Sequence, residues 1–230
     1  SGAGGAAAAY SLSKAGLSVI LLERGSYLLP QDFNQHEEKM FPMLFYDSGG
    51  RRTSNRAIRI LHGHGVGGTT LHNINLCKRL PQEIFDLWGL SNFSYTSLST
   101  YLKQVESLLS VSRILEDQLN ANNRLLRKGI NALGYRGNFL SHNRIGCVGS
   151  GFCELGCSYN AKQNAAKVLI PKAIDNGLKV YANTQAVSLN VSNRKVTHLN
   201  AEVINPQSHT LQARLEIQAR AFISAAGAIE

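Results

Sequence analysis

Four glycines fall within six residues at Gly63-His64-Gly65-Val66-Gly67-Gly68. No helix or strand interior tolerates that density, because each glycine adds backbone freedom that folding must remove. The segment is therefore a loop that turns a row of main-chain amides toward whatever approaches it. Thr69 and Thr70 follow, and their hydroxyls can cap a succeeding helix. A plain connection has no use for so many glycines. Contact with a cofactor is the expectation.

A second glycine turn opens the chain. Ser1-Gly2-Ala3-Gly4-Gly5 runs into the alanine-rich Ala6–Ala15, then Gly16, then the apolar Ser18-Val19-Ile20-Leu21-Leu22 ending on Glu23. This order predicts a helix, a left-handed stop at Gly16 and a buried parallel strand, the second half of a βαβ unit. Gly2 lets the backbone approach a pyrophosphate, and Gly5 with the small alanines lets the helix pack closely on a sheet. The helix N-terminus offers unpaired amides and the positive end of its dipole to phosphate groups. Glu23 stands about 20 residues on, where a carboxylate accepts ribose hydroxyls. An acidic residue there disfavours a ribose 2′-phosphate. Two glycine segments serving one ligand suggest a long dinucleotide such as FAD. The turn begins without a preceding strand, so the chain reads as a segment of a longer protein.

The stretch Gly63-x-x-Val66-Gly67-Gly68-Thr69-x-x-x-Asn73 resembles the flavin-contacting signature of the glucose–methanol–choline (GMC) oxidoreductases. The opening Gly2–Gly5 turn, Glu23-Arg24-Gly25, Leu76-Cys77 through Pro81 with Trp88, and the closing Phe222–Glu230 also sit as in that family. The resemblance implies an FAD-binding Rossmann-like α/β fold of the two-dinucleotide type, carrying an antiparallel β insertion and truncated at both ends. It places Gly2 and Gly5 at the pyrophosphate and Glu23 at the adenosine ribose. Gly63, Val66, Gly67, Gly68 and Thr69 would line the ribityl and flavin side, with Asn73 near the ring. Val187 would contact adenine through its backbone, and Ala226 would lie on the strand returning to the cofactor. His72 occupies the position through which some members attach flavin covalently; a hydrogen-bonding histidine is the alternative.

The implied activity is oxidation of the CH–OH group of an alcohol, sterol or sugar. In that family a histidine base takes the hydroxyl proton while the α-hydrogen leaves as hydride to flavin. That histidine belongs to a C-terminal region, so His62, His64, His72 and His142 are not assigned the role, and the segment alone is expected to lack turnover. Oxygen, a quinone or a cytochrome remain open as electron acceptor. An NAD-binding dehydrogenase module and an iron–sulfur electron-transfer subunit are the alternatives.

Cys147, Cys153 and Cys157 punctuate a glycine-rich loop with Cys-x5-Cys-x3-Cys spacing. Thiolates gathered in a turn suit soft metals or an iron–sulfur cluster; zinc-finger spacing is absent. The loop resembles that of membrane-associated sugar dehydrogenases in the family, which carry a cluster and pass electrons to a cytochrome. Ser158 replaces the proline usual there, and Tyr159-Asn-Ala-Lys162 is closer to long-chain alcohol and sterol oxidases. Buried thiols or one disulfide are the other readings.

Four regions follow: the βαβ remnant over 1–30, a polar lid and the glycine loop over 31–93, helices and the cysteine loop over 94–175, and strands over 176–230. His36, Glu37 and Glu38 read as a solvated charged turn. Leu115, Leu119, Leu126, Ile130 and Leu133 read as one helical core stripe ended by Gly134. Alternation from Val180 to Ala219, with turns at Ser192-Asn193-Arg194 and Asn205–Ser208, predicts a three-stranded antiparallel insertion. The 230 residues are 43% hydrophobic and 17% charged, which excludes a disordered chain. Twenty-four basic against 15 acidic residues leave a net +9. The charges are scattered and no nucleic-acid motif accompanies them, so a polyanionic cofactor or an anionic lipid surface is the better partner. Peripheral membrane association, with a cytoplasmic or membrane-associated location, is the corresponding expectation.

Overall fold

The computed structural model describes residues 1–229. From Ser1 to Asn73 the chain forms α1 (Ala3–Lys14), β1 (Ile20–Leu22) and α2 (Glu37–Leu44). The stretch from Ile74 to Cys147 forms β2 (Leu76–Cys77), α3 (Gln82–Asp86), α4 (Tyr95–Leu108), β3 (Ser112–Arg113), α5 (Ala121–Ala132) and β4 (Ser141–His142). After Val148 come α6 (Ala165–Asp175), β5 (Lys179–Tyr181), β6 (Thr184–Ser192), β7 (Lys195–Ile204) and β8 (Leu211–Ile217). The chain divides into two compact units, one of Ser1–Asn73 with Val148–Glu230 and one of Ile74–Cys147. Among the described residues no helix is long and apolar enough to cross a membrane.

In the first unit, β1 and β5 pair in parallel, Ile20 opposite Lys179 and Leu22 opposite Tyr181. Helix α1 packs against α6 through small residues. Ala6, Ala9 and Ser13 meet a helix whose Ala165, Ala166 and Ala173 are also buried, and such side chains let helix axes approach closely. Gly16, at φ +80°, ends α1 in the left-handed conformation predicted for it. The β6–β7–β8 meander is antiparallel, as the alternation predicted. Asn193 and Arg194 both take positive φ, the geometry of a two-residue hairpin whose twist matches its strands.

Four expectations require correction. β1 is not fully buried: Ile20 is 46% exposed, because the strand is laddered only to β5 among the described residues. The 31–57 region, read as polar and irregular, holds a helix and part of the core. Met40, Leu44 and Phe45 on and after α2 are buried, and the Phe33 ring packs so tightly on Gly156 that a Cβ there would lie 2.2 Å from it. His36, Glu37 and Glu38 are exposed as expected, at the N-terminus of α2 where acidic side chains oppose the helix dipole. The closing 222–229 segment is irregular, with no ladder partner, and Glu230 lies outside the described residues.

The fourth correction falls in the second unit. Ser94 and Asn120 cap α4 and α5 through their side chains, accepting from the amides of Ser97 and Asn123. Between them Ser110 takes φ +51° and Ser112–Arg113 pairs with Ser141–His142, so the helix breaks. Leu115 and Leu119 lie in this interruption and not on α5. The proposed core stripe is therefore discontinuous, and Leu115, Leu126 and Leu133 are 59%, 61% and 72% exposed.

Candidate cofactor site

The two glycine segments meet in space. A Cβ on Gly68 would lie 2.7 Å from Gly2 Cα, and one on Gly25 would lie 2.3 Å from the Gly65 nitrogen. Main chain touches main chain at both places. Gly68 also holds φ +51°, so a side chain there meets strain as well as collision. The end of β1 is thus stitched to the glycine loop 40 residues later by close backbone packing.

Glu23 is the electrostatic centre of this junction. Its Oε1 accepts from the amides of Gly25 (2.9 Å) and Gly65 (3.2 Å). Its Oε2 accepts from the Ser1 hydroxyl at 2.5 Å, and that hydroxyl oxygen accepts the Gly67 amide at 3.1 Å. Carboxylate acceptors make such bonds shorter and stronger than neutral ones. The Ser1 ammonium also lies 3.4 Å from Oε2, so Glu23 braces the two loops through both of its oxygens. Additional ties run from Val66 N–H to the Ser26 carbonyl and from the Ser26 hydroxyl to Asn183 Oδ1.

Helix α1 begins at Gly2, which caps it with no side-chain hydrogen bond. The first-turn amides of a helix have no intrahelical carbonyl to bond, and Ala3 and Gly4 are exposed. Gly5 has a different duty: it is buried, and a Cβ would meet Ala225 at 3.3 Å and Leu21 at 4.0 Å. The closing segment is thereby brought to α1, with Gly227 beside His62 and Ala226 between these two contacts. Thr69 is exposed at the loop surface. Gly68–Leu71 makes only one 3-10 turn, and the Thr70 hydroxyl caps another helix, accepting the Ala165 amide at the start of α6 (3.0 Å).

His72 is 4% exposed, with its ring 4.1 Å from that of Phe45. Its Nε2 has no hydrogen-bond partner and faces Gly63, where a Cβ would lie 1.8 Å away. Burial first, and then the charge of Lys162, hold the imidazole neutral down to about pH 4. The unfolded chain takes up this proton near pH 6.5 and the folded chain does not, so stability is full above 6.5 and falls as pH drops toward 4. The loss is on the order of 3 kcal/mol from this group. His64 and His142, also shifted down chiefly by burial, act in the same direction. Thermal unfolding from about pH 7 to pH 4 should show a steep acid decline that is shallower in His72→Asn; equal slopes would contradict it.

Sequence reasoning missed Lys162. It is 2% exposed, and its Nζ donates to the carbonyls of Leu71 (2.9 Å), Asn73 (2.6 Å) and Cys153 (2.7 Å). A lysine reads as surface by type; the signal was its place among Ala161, Gln163, Ala165 and Ala166, all buried.

Among the described residues no three His, Cys, Asp or Glu side chains are gathered to hold an ion. Cys147 is exposed and lies in the other unit, while Cys157 Sγ accepts the Ala161 amide at 3.2 Å and the Cys153 carbonyl serves Lys162. No cysteine forms a disulfide. Val187 is 55% exposed on β6 at a register shift between Ala186 and Ser188, which takes its backbone out of the ladder.

Comparison with known proteins agrees with this geometry. The chain is 28% identical over its whole length to an uncharacterized GMC-type oxidoreductase of Sinorhizobium fredii, covering 46% of that protein. It is 26% identical, again over its whole length, to a long-chain-alcohol oxidase of Arabidopsis thaliana, covering 32% of it. The crystal structure of pyridoxine 4-oxidase from Mesorbium loti superposes with a TM-score of 0.64 at 16% identity, over 94% of this chain and 46% of that one. The chain thus spans half or less of the length of these relatives, and the structural match shows the same FAD-binding Rossmann-like fold. The family model described as GMC oxidoreductase matches residues 41–230, and the chain belongs to that family.

Proposed function

We propose that this chain holds FAD for oxidation of an alcohol CH–OH group. The observation that carries the reading is the backbone-to-backbone junction of the two glycine segments, Gly2 on Gly68 and Gly25 on Gly65, with Glu23 bridging them. A short ligand needs one such loop; a long dinucleotide uses two. The residues present fit the group. The uncapped N-terminus of α1 and Gly2 suit the pyrophosphate, and Glu23 is the carboxylate that ribose hydroxyls would approach. The backbone of Val187, out of register in its ladder, suits adenine. Gly63, Val66, Gly67, Gly68, Thr69, His72 and Asn73 would line the flavin side, with Ala226 entering beside Gly5.

FAD, when bound, supplies the hydride acceptor. The chain's own residues bind and orient it and exclude water through the packed Val66, Leu71 and Phe45. His72, neutral and buried, contributes no charge. The substrate is a primary alcohol and the acceptor is oxygen, a reading supported by the oxidases among the similar proteins. The cysteines act as thiols, supported by the Cys157 Sγ that accepts the Ala161 amide; stoichiometric iron with acid-labile sulfide in the purified protein would contradict this. Anaerobic mixing of the full-length protein with a long-chain primary alcohol should bleach the flavin absorbance, and admission of air should restore it. A flavin that stays oxidised with every alcohol tried would refute the assigned activity.

A further inference from the structure

Lys162 carries a positive charge into the interior with no carboxylate paired to it. All three ammonium protons go to main-chain carbonyls, those of Leu71, Asn73 and Cys153. Desolvating an ammonium costs several kcal/mol unless its bonds are complete, so the position demands a return beyond packing. The acceptors indicate what that return is. Leu71 and Asn73 flank His72 at the exit of the glycine loop, and Cys153 is the middle cysteine of the cysteine loop. One side chain thus fixes the backbone on both sides of His72 from a point some 90 residues away in sequence.

We propose that Lys162 is a positioning residue of the flavin site: by clasping the Leu71 and Asn73 carbonyls it sets the backbone that offers His72 and Asn73 to the cofactor. The proposal rests on the FAD reading above. The clasp depends on the proton count. A neutral amine has two protons for three acceptors, so one arm opens when Lys162 loses its proton. The groups facing it are His72, Cys153, Cys157 and Glu154. Burial pulls Lys162 down to about 8, while the two thiols and the carboxylate support its charge. The three carbonyls also favour the charged form and oppose the drop.

The test measures FAD affinity of the apoprotein by fluorescence quenching between about pH 7 and pH 9.5, for the wild type, Lys162→Met and Lys162→Arg. Hydrogen exchange of peptides spanning 69–76 and 151–160 is followed in the absence of FAD. Wild-type affinity should fall about tenfold or more on the alkaline limb. Lys162→Met should bind at least about tenfold more weakly at neutral pH, lose the alkaline limb, and exchange faster in those two peptides alone. Lys162→Arg keeps its charge, so its affinity should not change with pH. If Lys162→Met fails to fold, the wild-type profile decides: affinity flat with pH overturns the proposal. Wild-type affinity or unchanged local exchange in Lys162→Met overturns it as well. A wild type that binds no FAD at any pH refutes the cofactor reading itself, a result distinct from a wild type that binds FAD alongside an indifferent Lys162→Met.

Discussion

Gly25→Ala should unfold or empty the cofactor site. The added Cβ would stand 2.3 Å from the Gly65 nitrogen, 2.6 Å from Gly65 Cα and 2.7 Å from His64 Nδ1. Two of these are backbone, which cannot rotate away as a side chain can. Separation of the two segments also lengthens the Glu23 bridge to the Gly25 and Gly65 amides. Overpacking costs about 1–3 kcal/mol, and weakened bonds to a charged group add about 1.5–3 kcal/mol. The sum is a large share of a domain's whole stability. Thermal unfolding should show a fall of ten degrees or more, on the order expected for such a loss, together with loss of bound flavin. A Gly4→Ala control meets nothing within 4 Å and should leave the melting temperature almost unchanged. Equal behaviour of the two variants would refute the close-contact account.

Gly63→Ala is the second large effect, and its cause differs. Here the obstacle is a side chain, His72 Nε2 at 1.8 Å, but that ring lies against Phe45 and is almost fully buried. It has no room to swing. The single substitution should destabilise by about 3 kcal/mol through overpacking. Combining it with His72→Ala removes the obstacle, so the double variant should be more stable than the two separate losses predict, by about 1 kcal/mol or more. Denaturant unfolding of the four proteins measures this coupling. Simple additivity would show that Gly63 is small for a reason other than His72.

The sequence made much of this legible where chemistry is local. Gly16, the β6–β8 meander and the Asn193-Arg194 turn follow from backbone preference and alternation, which act over a few residues. The glycine loop was visible because its density has no innocent explanation. What stayed hidden depends on distant partners. Gly25 looked like an ordinary strand end until Gly65 was placed against it. Lys162 carries no sequence mark of burial, since lysine is usually exposed, and only three carbonyls from two loops make its burial tolerable. The stripe from Leu115 to Leu133 had the right spacing but not a continuous helix, since the pairing of Ser112–Arg113 with Ser141–His142 interrupts it. Spacing placed the cysteines in one loop; it could not show that Cys157 Sγ accepts the Ala161 amide or that the Cys153 carbonyl accepts from Lys162.

Two glycine segments joined by Glu23 are proposed to form one site for FAD. Equilibrium titration of the purified, flavin-stripped protein with FAD and, separately, with NAD tests it most directly. The account predicts one FAD bound per chain, no saturable NAD binding, and loss of FAD binding in Gly25→Ala while Gly4→Ala retains it. Saturable NAD binding without FAD binding, or full FAD binding in Gly25→Ala, would contradict it.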